Sequence, residues 1–214
     1  MEHKNKRDNR AFQEMLQAVV KRLKGRSAEE IAVKSGAIFY SEESQLEVRS
    51  FDEKIKIQLP DFQINQTMEE WHHLILLHYL DMADGTEISQ NQITFGNLKD
   101  DLIRGTKFDR TAEQELEKIL LDKEPEEIQK ACLRLGAELI ETKADLCAVF
   151  PVLPRYPVIL KIWYADDEFP ASGKLFLQGN ADHYLSVEDA VTVGEILLQK
   201  LSEAVSSLTD FCLG

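Results

Sequence analysis

The sequence is poor in cysteine and contains no long apolar run. Its three cysteines, Cys132, Cys147 and Cys212, form no CxxC pair, which excludes the usual cysteine-built zinc and iron–sulfur sites. Free thiols of this kind are typical of a reducing cytoplasm. The longest apolar stretch, LILLHYL at 74–80, is far shorter than the roughly 20 residues that span a bilayer. The N-terminus also lacks the apolar segment of a signal peptide. We therefore expect a cytoplasmic protein that holds no iron–sulfur cluster and does not enter membranes.

Basic residues are also scarce relative to acidic ones. The chain has 38 Asp and Glu against 25 Lys and Arg, a net charge of −13. Nucleic-acid affinity comes largely from Lys and Arg that displace counterions from phosphates. This composition therefore disfavours nucleic acid and anionic membranes as partners.

A length of 214 residues fits one large domain or two small ones. We expect a polar tail at 1–10 and a single domain over 11–210, with a possible subdivision near 123–136 between a helical and a sheet-rich part. Apolar spacing predicts helices at 8–24, 28–35, 67–86, 112–121, 125–136 and 187–208. Alternating runs predict strands at 38–40, 45–51, 54–59, 137–141, 145–150, 157–164 and 173–178.

These blocks predict an α+β fold, because helices and antiparallel strands occupy separate parts of the chain. The strands after residue 137 form a C-terminal meander, and 45–59 form an N-terminal hairpin. The helix over 67–86, with Thr67 as its cap, is apolar nearly all round and is expected at the centre. Thr111 is expected to cap the helix that follows it, and the long C-terminal helix packs on the sheet.

Two groups of polar residues lie on either side of the strand at 173–178. Asp166, Asp167 and Glu168 precede it, and Asp182 and His183 follow it. At about 3.3 Å per residue, seven strand residues separate the two loops by roughly 20 Å. The acids and His183 are therefore not expected to share one ligand within a subunit.

The acid loop is most simply a solvated turn that Phe169 and Pro170 anchor by packing. A weak divalent-cation site at Asp166, Asp167 and Glu168 is the alternative, because hard cations prefer clustered carboxylates. The loop lacks the ligand spacing of an EF-hand. No other cofactor is predicted.

The turn at 151–157 is expected at the His183 end of the meander, which would bring Arg155 and Tyr156 towards Asp182 and His183. An Arg–Asp pair there would either hold the loop together or bind a carboxylate or phosphate. These four residues are the ligand-binding candidates.

His78, Asp84 and His183 are the weak catalytic candidates. His78 shares a helix face with apolar residues, as a satisfied core histidine would, and an Asp84–His78 contact would orient its imidazole. His72, His73 and His78 miss the i, i+4 spacing of a metal pair. GxSxG, a glycine-rich phosphate loop and GxGxxG after a strand are absent, which disfavours the classical hydrolases, kinases and dehydrogenases.

The order of five sequence blocks carries a family resemblance. They are AEEIAVKSGAIF, LILLHYLDMADGT, ITFGNL, VFPVLPRYPVILKIWYADDEFPASGKLF and ADHYLSVEDAVTVGEILLQKL. Together they resemble the DUF3786 family, a bacterial and archaeal domain family of unknown function found mostly in anaerobes. Some members look linked to iron–sulfur and corrinoid one-carbon proteins, which implies a partner of that kind. Gln92 stands where the family pattern has tryptophan, so the resemblance is weakest around 91–97.

Three functions are compatible with these patterns. The first is a non-catalytic domain that binds a small anion or a protein partner of anaerobic one-carbon metabolism. The second is an enzyme that uses a histidine–carboxylate pair as acid and base. The third is a structural module that forms a homodimer.

Overall fold

The computed structural model describes the backbone of residues 2–99 and 103–211 and the side chains of 10–99 and 103–208. Cys212 lies outside these ranges. Six helices occur in the described part of the chain: α1 (Glu2–Leu23), α2 (Ala28–Ser35), α3 (Glu70–Met82), α4 (Arg104–Leu120), α5 (Pro125–Arg134) and α6 (Val187–Phe211). Single 3-10 turns occupy Phe95–Asn97 and Ala181–His183.

Within the same described ranges, nine strands form two antiparallel sheets, which confirms the α+β prediction. The first sheet is β1 (Ile38–Tyr40), β2 (Gln45–Ser50), β3 (Glu53–Gln58) and β4 (Gln63–Ile64), in sequence order. The second contains β5 (Gln92–Ile93), β6 (Glu138–Leu139), β7 (Leu146–Leu153), β8 (Tyr156–Trp163) and β9 (Ser172–Gln178), in the order β5-β9-β8-β7-β6. The predicted hairpin is therefore the middle of a four-stranded sheet, and the predicted meander is the main part of the second.

Helix α3 lies at the centre of the core, as predicted. Leu76, Leu77, Tyr79 and Leu80 are fully buried on several sides of the helix. Contacts with α1, α2 and α6 surround it. One continuous cluster of buried apolar side chains runs from Phe12 to Val205, so both sheets share a single core.

Several element boundaries differ from the predictions. Helix α3 begins three residues after Thr67, because the Glu69 carboxylate accepts the His72 N–H and caps the helix instead. Helix α4 begins at Arg104 rather than after Thr111, whose hydroxyl donates to the Lys107 carbonyl one turn back. The predicted caps at Thr67 and Thr111 are therefore both wrong. The first turn of α3 is capped by another residue, and the first turn of α4 precedes Thr111.

The start and the middle of the chain differ as well. Helix α1 begins at Glu2, inside the segment predicted as a tail. The extended piece near Ile93 is strand β5, which pairs with β9 through Gln92–Gln178 and Ile93–Leu177. The pairing of this short segment with β9 shows that tertiary contacts decide its structure.

Gly194 allows α4 and α6 to approach closely. A Cβ at this position would lie 2.3 Å from Cζ of Phe108 and 3.3 Å from Cζ of Phe95. The rings of Phe95 and Phe108 form an edge-to-face pair with centroids 4.6 Å apart. The missing side chain therefore accommodates an aromatic pair at the centre of the α4–α6 contact.

One face of the second sheet points away from the shared core, and we call it the outer face. Side chains alternate along each strand, so Val149, Ile159 and Phe176, which pair across β7, β8 and β9, form one row of it. Cys147, Lys161 and Lys174 form the next row, and Trp163 follows. Cys147 and Ile159 are buried but do not belong to the core cluster. Trp163 is 40% exposed, so this face is apolar without being part of the interior.

Candidate functional site

Two of the α3 histidines, His72 and His78, hydrogen-bond to other elements, while His73 Nε2 is buried without a hydrogen-bond partner. Of the two bonded histidines, His72 is the clearer case. Ser50 Oγ donates to the Val152 carbonyl at 2.8 Å and lies 2.8 Å from His72 Nε2. A hydroxyl has one proton, so Nε2 must carry the hydrogen and donate it to Ser50. Burial lowers the pKa of His72 from 6.5 to about 4. His72 is thus neutral and a donor, and it does not activate Ser50 as a nucleophile.

His78 forms a hydrogen bond with a residue that the sequence did not suggest. Its Nδ1 lies 2.8 Å from Asp189 Oδ1, and Ser186 Oγ donates to the other oxygen of the same carboxylate at 2.8 Å. In a serine triad the histidine stands between serine and aspartate. Here the aspartate stands between the other two, and the Asp189 N–H bonds back to Ser186 at the start of α6. This arrangement ties α3 to α6 and does not make Ser186 nucleophilic.

Asp84 contacts His183 rather than His78. His183 Nδ1 lies 2.7 Å from Asp84 Oδ2 and 3.1 Å from Thr86 Oγ1. The bond to His183, followed by one to Thr86, lowers the pKa of Asp84 to about 2. The expected Asp84–His78 contact is therefore replaced by two separate pairs, one half-buried and one exposed.

The loop after α3 is also fastened to the segment after β9. The Asn180 side chain accepts the Ser89 N–H at 2.8 Å and donates to the Glu87 carbonyl at 2.7 Å. The Tyr184 hydroxyl donates to the Thr86 carbonyl. Together with the His183 pair, these bonds hold 84–89 against 180–184. The polar residues that follow β9 therefore shape the backbone of a neighbouring loop.

Arg155 and Tyr79 lie beside segments 84–89 and 180–184, and we call this region the corner. The Tyr79 hydroxyl donates to the Ser35 carbonyl at 2.5 Å and accepts the Arg155 N–H at 2.9 Å. Arg155 Nη2 donates to the Val33 carbonyl at 3.4 Å. These carbonyls are the last of α2, where a positive charge is favourable. Arg155 thus reaches the C-terminus of α2, and it forms no ion pair with Asp182.

Two groups at this corner remain unpaired. Arg155 Nε and the Tyr156 hydroxyl are both buried and have no hydrogen-bond partner. Burial, followed by the nearby charges of Asp189 and Asp182, raises the pKa of Tyr156. A ligand from solution does not reach either atom without displacing packed side chains. Asp182 instead lines a cavity of about 570 Å³ together with Leu98, Arg104 and Glu188.

The acid loop joins β8 to β9 at the far end from His183, as predicted, since Trp163 pairs with Ser172 beside it. Asp166 Oδ1 accepts the N–H groups of Glu168 and Phe169 at 2.9 and 2.7 Å, which lowers its pKa. Phe169 is 66% exposed and therefore does not anchor the loop by packing, contrary to expectation. Asp166 shapes a turn, and residues 2–99 and 103–211 contain no group of three or more His, Cys, Asp or Glu that could hold a metal ion.

The cysteines in the described ranges are free and buried. Burial raises the pKa of Cys132 to about 12 and also raises the pKa of Cys147. Thiolates, not thiols, are reactive. Neither residue is suited to nucleophilic chemistry.

An open groove begins where the outer face meets the first sheet, and we call it the proline groove. It encloses about 560 Å³. Its lining includes Val149, Pro151, Pro154, Pro157, Arg49 and Glu138. The β7–β8 turn that contains Pro154 and Arg155 separates it from the corner, so the two regions share one turn and face in different directions.

Little in the sequence indicates this groove. Its lining comes from the β2, β6, β7 and β8 regions and from the loop near Ile88. A bulge between Phe150 and Leu153 places Pro151 there, and the Phe51 N–H bonds to the Pro151 carbonyl at 2.9 Å. The three prolines within 151–157 are the one sequence feature that indicates an irregular strand here, because proline interrupts a regular strand.

Comparisons with other proteins identify the family. Among the described residues, no helix is both long and apolar enough to cross a membrane. No curated protein and no solved structure matches the chain significantly. A family profile described as a domain of unknown function, DUF3786, matches residues 27–200. That match covers both sheets and all the residues of the corner and the groove, and the chain belongs to the DUF3786 family.

Proposed function

We propose that the protein is a non-catalytic binding domain and that the proline groove is its binding site. The observation that carries this proposal is an apolar groove of about 560 Å³ that is open to solvent. This volume is within the range of small-molecule sites, roughly 300–1,000 Å³. The groove is continuous with the outer face, on which the large apolar side chain of Trp163 is exposed, as on an interaction surface.

The hydrogen bonds of the histidine side chains also support this proposal. His72 donates to Ser50, and His78 bonds to the Asp189 carboxylate, which also accepts from Ser186 at the start of α6. His183 bonds to Asp84 and Thr86 on the loop that it fastens. A general acid or base must be free to exchange a proton with substrate. His72 and His78 are largely buried and held by such partners, which favours binding over catalysis, whereas His183 is half-exposed and its bonds to Asp84 and Thr86 both involve Nδ1.

The family resemblance suggests the setting of this binding. Its links to iron–sulfur and corrinoid one-carbon proteins would make the ligand or partner a component of anaerobic one-carbon metabolism. A protein partner would reach the groove across Trp163 and Phe176 on the outer face. A small ligand would occupy the groove alone.

Nuclear magnetic resonance with a mixture of small apolar and amphipathic compounds tests the proposal. We expect saturable shifts of the backbone amide signals of Val149, Gly136 and Leu139, which line the groove. The substitution Val149→Lys places a charge on the apolar floor and should abolish these shifts. Val33→Lys is the matched control, because Val33 is 73% exposed and lies outside the groove.

The result that contradicts the proposal is equally defined. Saturable shifts confined to His183, Asp84 and Thr86 would place the site at the exposed histidine–carboxylate pair and favour an enzyme. No saturable shift at the groove amides with any compound would remove the groove as a site. Sedimentation of both variants would show whether the outer face instead joins two copies of the chain.

A further inference from the structure

In the part of the chain that the structure describes, Arg49 lacks the carboxylate partner that Arg10, Arg22 and Arg26 have. Arg22 and Arg26 both pair with Asp81, and Arg10 pairs with Glu14. Arg49 is exposed, lines the proline groove and forms no ion pair with any described residue. In a chain of net charge −13, carboxylates are abundant. An arginine left without one at the wall of a groove is available to a ligand.

The guanidinium of Arg49 is held in place on one side. Its Nε donates to the Phe51 carbonyl at 3.2 Å. That bond restricts rotation of the planar group and leaves the two Nη amino groups without a partner in the described part of the chain. Two parallel N–H groups match the two oxygens of a carboxylate. The geometry therefore favours a planar anion.

The rest of the lining favours an apolar body. Pro151, Pro154 and Pro157 have no backbone N–H, so this wall offers no donors to an added β-strand. Val149 forms part of the floor beside them. A ligand is held here by burial of apolar surface rather than by main-chain hydrogen bonds. This excludes peptide binding by strand addition along the prolines.

Glu138 restricts the number of charges on the ligand. It lines the same groove and, like Arg49, has no ion-pair partner among the described residues. It pairs with Val149 across β6 and β7, whereas Arg49 lies near Phe51, beside Pro151. The two opposite charges line the same groove without forming an ion pair with each other. A second negative charge on a ligand, close to Glu138, would be repelled.

We propose that the proline groove binds a monocarboxylate with an apolar body, its carboxylate on the Arg49 guanidinium and its body along Val149 and the prolines. This inference rests on the proposed function, since it names the chemical class of ligand for the same groove. It adds a role for Arg49 that binding of apolar compounds alone does not require.

Octanoate, octanamide and suberate are suitable probes, because they share an apolar chain and differ in charge. Titration followed by amide shifts at Val149, Gly136 and Leu139 gives each dissociation constant. We expect octanoate to bind more tightly than octanamide, and suberate to bind more weakly than octanoate. Glu138→Gln should remove most of the difference between suberate and octanoate.

The substitution Arg49→Gln isolates the carboxylate contact. Loss of a charge-assisted bond at an exposed site should weaken octanoate by roughly three- to tenfold, while octanamide binding stays unchanged. Arg49→Lys keeps the charge without the fork and should give an intermediate affinity. Arg110→Gln is the matched control on an exposed face of α4 and should leave all three probes unaffected.

The outcomes separate this inference from the proposed function. Equal binding of octanoate and octanamide in the wild type, with no effect of Arg49→Gln, overturns the carboxylate inference and leaves the groove as an apolar binding site. Absence of groove shifts with every probe overturns the inference as well. The wider compound mixture then decides the proposed function independently.

Discussion

The surroundings of α3 and the proline groove use their residues in opposite ways. Around α3, the side chains that look chemically active, His72, His78 and Tyr79, bond to a hydroxyl, a carboxylate and a backbone carbonyl. In the groove, valine and proline form an open surface, and the charges of Arg49 and Glu138 are unpaired. Histidine and tyrosine side chains therefore stabilise the fold around α3, whereas valine and proline form the open surface of the groove.

The largest expected effect is the loss of folding stability at low pH that the α3 region causes. Burial holds the pKa of His72 at about 4, below the 6.5 of an exposed histidine. The unfolded chain therefore binds the proton first, and stability is lost as the pH falls from 6.5 towards 4. The loss for this residue is on the order of 3 kcal/mol. Urea unfolding between pH 7 and pH 4 measures it.

His72→Gln is the control for that experiment. Glutamine retains a side-chain N–H for Ser50 but does not titrate, so the variant should lose less stability over the same pH range. An unchanged pH profile in the variant would show that another group causes the acid loss.

A second substitution tests the corner directly. Tyr79→Phe removes the bonds to the Ser35 carbonyl and the Arg155 N–H, both in a buried region. We expect the free energy of unfolding to fall by about 2 kcal/mol, because two buried groups lose a partner. Tyr40→Phe removes a hydroxyl from a side chain that is 38% exposed and should change little. Chemical denaturation of both variants compares them.

A smaller effect is expected at the exposed pair. The pKa of Asp84 is lowered to about 2 by its bonds to His183 and Thr86, so its contribution is present above about pH 4 and is lost as the pH falls towards 2. Both side chains are nearly half exposed, and exposed pairs contribute about 1 kcal/mol or less. Asp84→Asn should therefore lower the melting temperature slightly at pH 6 and not at pH 2. A loss of several kcal/mol would mean that this pair is as integral as Tyr79.

The smallest effect on stability should occur in the groove. Pro157 is half-buried on the outer face and is not part of the core cluster. Pro157→Ala should change the free energy of unfolding by about 0.5 kcal/mol or less, while altering the affinity for apolar probes. Thermal unfolding and the probe titration measure the two quantities separately. A large destabilisation would show that the groove is structural rather than a site.

The sequence predicted those parts of the fold that depend on local pattern. Ser27 and Gly36 bound α2 as expected, because a capping hydroxyl and a left-handed glycine are local signals. The meander followed from alternation over 145–178. The start of α4 did not, since GTKFDRT is polar and only the packing of Phe108 and Ala112 fixes it as helix.

The candidate site was harder to predict, for a physical reason. From the sequence we predicted that Asp182 and His183 lie near the β7–β8 turn and that the acid loop lies at the opposite end of the strands. The sequence did not show which histidine meets which carboxylate, because Asp84–His183 and His78–Asp189 join residues about a hundred positions apart. The groove was still less visible, as it depends on a bulge and on the approach of two sheets.

Gly194 has a consequence for the evolution of this chain. Glycine is among the least favourable helix residues, by about 1 kcal/mol relative to alanine. Helix propensity alone would therefore favour mutations that replace a glycine in the middle of α6. The close approach of Phe108 and Phe95 forbids that replacement. In a saturation library selected for folded protein, position 194 should therefore tolerate fewer substitutions than any solvent-facing position of α6. It should become permissive only when position 108 changes to a smaller residue at the same time.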